Sequence, residues 1–177
     1  MGQRLTDKTG LTKIEANDLL MVVDVSDTSS SAEGTSKKIS ASSLIQTIMV
    51  EVSNSDFTSM DDSGGAGTYV MLIDALGTGF APIILGANIV VSHSAPNDSA
   101  SEDLRIGYVV DSSQYAISQR RFMNGVGVDT VFSLAPVSSS VGSTSSLDNT
   151  KVVLYSTGNF NGGFSAKVYL TYQALEL

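Results

Sequence analysis

Asp24, Ser26 and Thr28 follow an apolar run in "DLLMVVDVSDTSSS", spaced two residues apart at what reads as the end of a strand. Oxygen side chains in that pattern can hold a hard divalent cation. They can equally hydrogen-bond the backbone of a chain that is simply turning. The other residues able to do chemistry are few. His93 is the single histidine, and as a general base it would need an orienting carboxylate and a nucleophile close by. Asp98 and several serines are near it in sequence, as in any polar turn, and a strand-end histidine is the preferred reading. Asp61-Asp62 and Glu102-Asp103 are the paired carboxylates that glycoside hydrolysis could use. Both pairs fall in expected loops. The chain has no Trp and 7% aromatic residues, so platforms for sugar are scarce. Tyr108, Tyr115, Tyr155, Tyr169 and Tyr172 could touch sugar, but at strand positions they read as half-buried sheet residues.

Phosphate chemistry is not supported. "GGAGT" lacks the Lys-Ser/Thr of a P-loop, and "GTGFAP" has a proline where a dinucleotide-binding motif needs its third glycine. Asn97-Asp98-Ser99 matches a glycosylation acceptor, a pattern frequent by chance. With no cysteine, disulfide frameworks, zinc knuckles and thiol nucleophiles are excluded. A net charge of −8 and a pI near 4.4 argue against a nucleic-acid partner, which demands a clustered positive footprint. The only basic doublets, Lys37-Lys38 and Arg120-Arg121, are too short for one. The longest apolar stretch, "FAPIILGANIVV", falls short of the roughly 20 residues that span a bilayer. No secretory signal is visible, so the expectation is synthesis and assembly in a cytoplasm. The sites expected on these grounds are none: no catalytic residue, no cofactor, no metal.

The elements that would position these residues are mostly strands. Of 177 residues, 42% are hydrophobic and 16% charged, against a usual charged share of about 25%. The polar part is Ser, Thr, Asn and Gly, which suits strands and turns. Residues 12–15, "TKIE", are spaced like a capping box. The strand Leu19 to Val25 follows, then a Ser-rich loop, then "TSKKIS" as a return strand. "SASSLIQTIMVEV" reads as a helix, with a serine N-cap and Leu44, Ile45, Ile48 and Met49 at helical spacing. Residues 1–52 thus form an expected hairpin-plus-helix module, too poor in apolar surface to fold strongly alone and so expected to dock. Residues 53–68, "SNSDFTSMDDSGGAGT", read as a flexible linker. Residues 69–177 hold about eight strand candidates: 69–75, 79–85, 88–93, 103–110, 115–122, 128–135, 151–156 and 165–175. In "KVYLTYQAL", Val168, Leu170, Tyr172 and Ala174 would share a face. The expected fold class is mainly β: the small hairpin-plus-helix module, then a β-sandwich of jelly-roll type.

Two resemblances bear on function. The Asp-x-Ser-x-Thr spacing resembles the metal loop of von Willebrand A-type adhesion domains, but those are α/β folds and this pattern is not. The run "NDLLMVVDVSDTSSSAEGTSKKISASSLIQTI" resembles a short module near the N-terminus of many tailed-bacteriophage virion proteins, among them tail fibres and fibre-like appendages. The match lies in Leu19 to Asp27, Thr35 to Ile39 and Ser43-Leu44. The loop from Thr28 to Gly34 is longer than the simplest version, and the chain is short for a fibre shaft, which brings capsid decoration proteins and compact tail components into consideration. The resemblance implies a non-enzymatic structural component of a virion, commonly a homotrimer. Its N-terminal module would anchor to capsid or tail proteins and its C-terminal sandwich would form the exposed body. The alternative is a receptor- or carbohydrate-binding module that contacts host-surface glycan through the turns "SAPNDSASED" and "STGNFNGGF".

Overall fold

The computed structural model describes residues 19–40, 44–60, 68–94, 103–109, 114–119, 127–136 and 147–177. The chain divides into two compact units, Met1–Ser43 and Leu44–Leu177. The expected capping-box turn at 12–15 lies outside the described residues.

In the first unit, β1 (Leu19–Asp24) and β2 (Thr35–Ser40) pair antiparallel from Leu19 opposite Ser40 to Asp24 opposite Thr35. Gly34 closes the loop with φ +115°, where a Cβ would stand 2.7 Å from the Asp24 carbonyl oxygen and 2.8 Å from Val23 Cγ1. Only glycine meets both the backbone and the space requirement there.

The second unit is mainly β. Its elements are β3 (Ile45–Val52), α1 (Asn54–Ser59), β4 (Val70–Ile73), β5 (Phe80–His93), β6 (Leu104–Tyr108), β7 (Gln114–Gln119), β8 (Thr130–Leu134), β9 (Val152–Ser156) and β10 (Phe164–Glu176). They form two four-stranded sheets ordered β3-β10-β5-β8 and β4-β9-β6-β7, with every pair antiparallel. One core serves both sheets. Ile84, Ile89, Val168 and Leu170 enter it from the first, Leu104, Ile106 and Leu154 from the second. Each such side chain contributes about 1.5–3 kcal/mol on burial.

Three expectations are corrected. The helix expected from "SASSLIQTIMVEV" is strand β3 over its apolar part, paired with β10 along its whole length. Leu44, Ile45, Ile48 and Met49 fit helical spacing, but Ile48, Val50 and Val52 also alternate, and β10 offers that alternation a partner. Ile48 and Val50 pack against the core and Val52 is buried. Tertiary pairing overrides the local pattern. The hairpin-plus-helix module therefore has no helix between 45 and 52.

The flexible linker expected at 53–68 begins instead with α1. Ser53 and Asp56 form a capping box, Ser53 Oγ accepting from the Asp56 N–H at 3.2 Å and Asp56 Oδ2 accepting from the Ser53 N–H at 2.8 Å. Phe57 and Met60 are fully buried. Residues 61–67 of that segment lie outside the described residues.

The two strands expected at 79–85 and 88–93 are one strand, β5. Thr171 faces Gly86 and Tyr172 faces Ile84, leaving Leu85 as an extra, exposed residue. This bulge changes the inward parity from Ile84 to Ala87, Ile89 and Val91. A phase slip of that kind breaks an alternating pattern in two. The face expected for β10 is as read: Val168, Leu170, Tyr172 and Ala174 are all buried.

Candidate functional site

The Asp24–Thr28 segment forms the turn after β1, and its carboxylates serve that turn. Asp24 Oδ1 accepts from the Ser26 N–H at 3.0 Å and from Ser26 Oγ at 2.6 Å. These bonds hold the Asp24 carboxyl below its ordinary pKa. Asp27 Oδ1 accepts from the Ser29 N–H at 3.0 Å, and Oδ2 pairs with the Lys37 ammonium of β2. Lys37 first, then Ser29, lowers the Asp27 carboxyl to about 2. Thr35 Oγ1 donates to the Asp27 carbonyl at 2.7 Å, so the return strand is stitched to the turn. Thr28 is exposed at the loop surface. Among the described residues no three His, Cys, Asp or Glu side chains gather as a metal site would need.

The hairpin carries its apolar residues outward. Leu19, Met21, Val23 and Val25 follow one another along one side and are all exposed, Met21 by 79% and Val25 by 75%.

His93 sits at the end of β5 beside Phe164, with ring centroids 5.9 Å apart. Neither ring nitrogen has a hydrogen-bond partner among the described residues, and both are buried. Asp129 meets the His93 backbone N–H at 2.8 Å, not the ring. Among the described residues, no hydroxyl or carboxylate reaches the imidazole to make a base–nucleophile pair. The ring joins an aromatic cluster instead: Phe57, Phe160 and Phe164 meet edge-on with centroids 4.6 to 5.9 Å apart.

Asp103 pairs with Arg105 at 3.2 Å, while Asp61, Asp62 and Glu102 lie outside the described residues. Tyr108 is buried, and its hydroxyl oxygen accepts from the Ile84 N–H across the two sheets at 3.4 Å. Burial raises its phenol above the ordinary value. Tyr172 is buried and donates to Gln46 Oε1 at 3.3 Å. Tyr155 is half-buried, Tyr169 is exposed on β10, and the side chain of Tyr115 is outside the described set.

Of the two turns considered for glycan contact, the first lies largely outside the described residues. In the second, Phe160 is buried and presents no aromatic platform. Asn54 Oδ1 accepts from the Gly163 N–H at 2.7 Å, fixing that turn to α1. A cleft of about 340 Å³ opens beside α1, with Glu51, Asp56 and Lys167 in its wall. Its charges are already matched: Asp56 caps α1, and Lys167 pairs with Glu51 at 3.3 Å. The feature that sequence reading missed here is α1, which Ser53-x-x-Asp56 ahead of Phe57 announces.

No described helix is long and apolar enough to cross a membrane. Comparison of the chain with protein-family models, with curated proteins and with solved structures finds no match.

Proposed function

We propose that this chain is a non-enzymatic structural component of a tailed-bacteriophage virion, a tail component or a capsid decoration protein. Residues 19–40 are its anchoring module, and the unit from Leu44 onward is a jelly-roll β-sandwich forming an oligomeric, homotrimeric body. The observation that carries the reading is the hairpin itself. The strand Leu19–Asp24 that leads into Asp-Val-Ser-Asp pairs with the Thr-Ser-Lys-Lys-Ile strand, as the resemblance to the virion module would have it, and the row Leu19, Met21, Val23, Val25 is exposed. Strand order adds support. Numbered from β3, the eight strands run first-eighth-third-sixth in one sheet and second-seventh-fourth-fifth in the other. That is the double Greek-key order of a jelly roll, a fold frequent in capsid proteins. Fold by itself does not carry function, and the hairpin is the stronger support.

The test is peptide mass spectrometry of gradient-purified particles from cells that carry this gene. Peptides of this chain present at stoichiometric amounts in the particle band are expected. Their confinement to the soluble fraction would overturn the reading.

A further inference from the structure

We infer that the outward face of the β3-β10-β5-β8 sheet is where copies of this chain meet one another. The proposal rests on the oligomeric reading above and names the surface that reading leaves open. Strand register builds the face row by row. Glu51, Lys167, Val90 and Val131 lie side by side in one row, and Met49, Tyr169, Asn88 and Ser133 in the next. Thr47, Thr171 and Gly86 make the third. Ile45 is 65% exposed, Val131 62% and Met49 46%, while Leu85 on the bulge and Tyr169 are exposed beside them. On the other sheet Val153, between core residues Val152 and Leu154, is already buried within the chain, and Met71 opposite it is exposed.

Three features favour a copy of this chain over a foreign partner. The first is charge. The protein carries −8, so its copies repel, yet this face holds one Lys and one Glu that neutralise each other at 3.3 Å. Two copies can meet here without a like-charge cost. The second is that four of its hydroxyl and amide side chains bond one another within the face. Thr47 and Thr171 hydroxyls lie 3.0 Å apart, and Ser133 Oγ donates to Asn88 Oδ1 at 2.6 Å. Such groups lose water at little cost because their bonds persist. The third is area. Four strands about 4.8 Å apart and eight residues of β3 at about 3.3 Å each span roughly 19 by 26 Å, or about 500 Å² before side-chain relief. Two whole faces then remove about 1,000 Å², the size from which specific interfaces begin, and three faces sharing a threefold axis remove about 1,500 Å² between them. A nucleic acid would require positive charge here, and a glycan would require more than the single ring of Tyr169.

Light scattering on the eluting full-length chain tests this with three proteins: wild type, the double variant Met49→Glu/Val131→Glu, and the hairpin variant Met21→Glu. The expected result is a wild-type mass at a multiple of 18.5 kDa, with the face variant weakened about thirtyfold or more and running as monomer. The hairpin variant should keep the wild-type mass. An oligomer dispersed by Met21→Glu and untouched by the face variant overturns the surface while leaving the structural reading standing. A wild-type monomer at tens of micromolar, whatever else covers the face, overturns both the surface and the oligomeric body. If the charged variant loses its β-sheet circular dichroism, Met49→Ser/Val131→Ser takes its place, and association as tight as wild type overturns the proposal.

Discussion

Asn54 at the start of α1 holds Gly163 just ahead of β10: its Oδ1 lies 2.7 Å from the Gly163 amide nitrogen and 3.4 Å from that of Phe164. The neighbouring Gly162 has φ +91°, and a Cβ there would stand 2.8 Å from Asn54 Oδ1 and 2.9 Å from Thr58 Cγ2. Gly162→Ala should therefore cost about 1–3 kcal/mol, from backbone strain and displaced α1 contacts together. Gly77→Ala is the control, since φ is +102° there but nothing lies within 4 Å. It should cost only the backbone part, roughly 1 kcal/mol. Urea unfolding of both variants checks the difference, and equal losses would show that α1 does not press on this turn.

Phe57 packs its ring 4.6 Å from Phe164 and is fully buried. Phe57→Ala should destabilise the second unit by about 3–5 kcal/mol. Ser59→Ala, at an exposed position on the same helix, should change stability by less than about 0.5 kcal/mol. Thermal unfolding followed by circular dichroism separates the two. If residues 53–60 acted as a linker, both changes would be silent.

The contrast between these residues shows what was legible in the sequence. β10 could be read directly because its inward residues, from Phe164 to Ala174, alternate without interruption against a fully buried core. β3 could not, because its apolar residues satisfy two periods at once and its pairing with β10 spans well over a hundred residues of chain. β5 was split by Leu85, whose bulge no local pattern distinguishes from a turn. The α1 capping box was visible in Ser53 and Asp56, but the surrounding Ser, Gly and Asp residues outweighed it. The two strands of the hairpin were legible because the bonds that shape its turn are local, whereas the Asp27–Lys37 ion pair and the Thr35–Asp27 bond were not read from the sequence. Its exposed apolar row was legible only as composition, because exposure depends on what the rest of the chain leaves uncovered.

Tyr108 gives a dependence on alkaline pH. Burial raises its phenol above 10.0, outweighing the opposing effect of the Ile84 hydrogen bond. A group whose folded pKa is raised contributes stability that is full below its unfolded value and lost as pH rises through the folded one. Stability should therefore decline above about pH 10, and Tyr108→Phe should remove that part of the decline. At neutral pH the same variant should lose about 1 kcal/mol for the missing acceptor. Guanidinium unfolding at a series of pH values measures both effects. Identical alkaline slopes in the two proteins would rule out the tyrosine as their source.

Asp27 gives the acid counterpart. Its carboxyl is lowered from 3.8 to about 2, by Lys37 above all. A depressed carboxylate supports the fold above its unfolded pKa, and that support is lost as pH falls through the folded value. The hairpin turn should thus keep its geometry at pH 4 and lose it toward pH 2. Carboxyl-detected NMR titration should place the Asp27 midpoint near 2 in the wild type. In Lys37→Ala it should move up toward the ordinary value. An unchanged midpoint in the variant would mean that the ion pair does not form in solution.

The proposed role builds this chain into a virion through its N-terminal hairpin. Gold-labelled antibody against the second unit, viewed by electron microscopy on intact particles from cells that carry this gene, tests it most directly. Gold at one repeated position on head or tail is expected, and it should disappear from particles assembled with Met21→Glu/Val23→Glu protein. Particles that never carry label, beside abundant free protein in the same lysate, would contradict the claim.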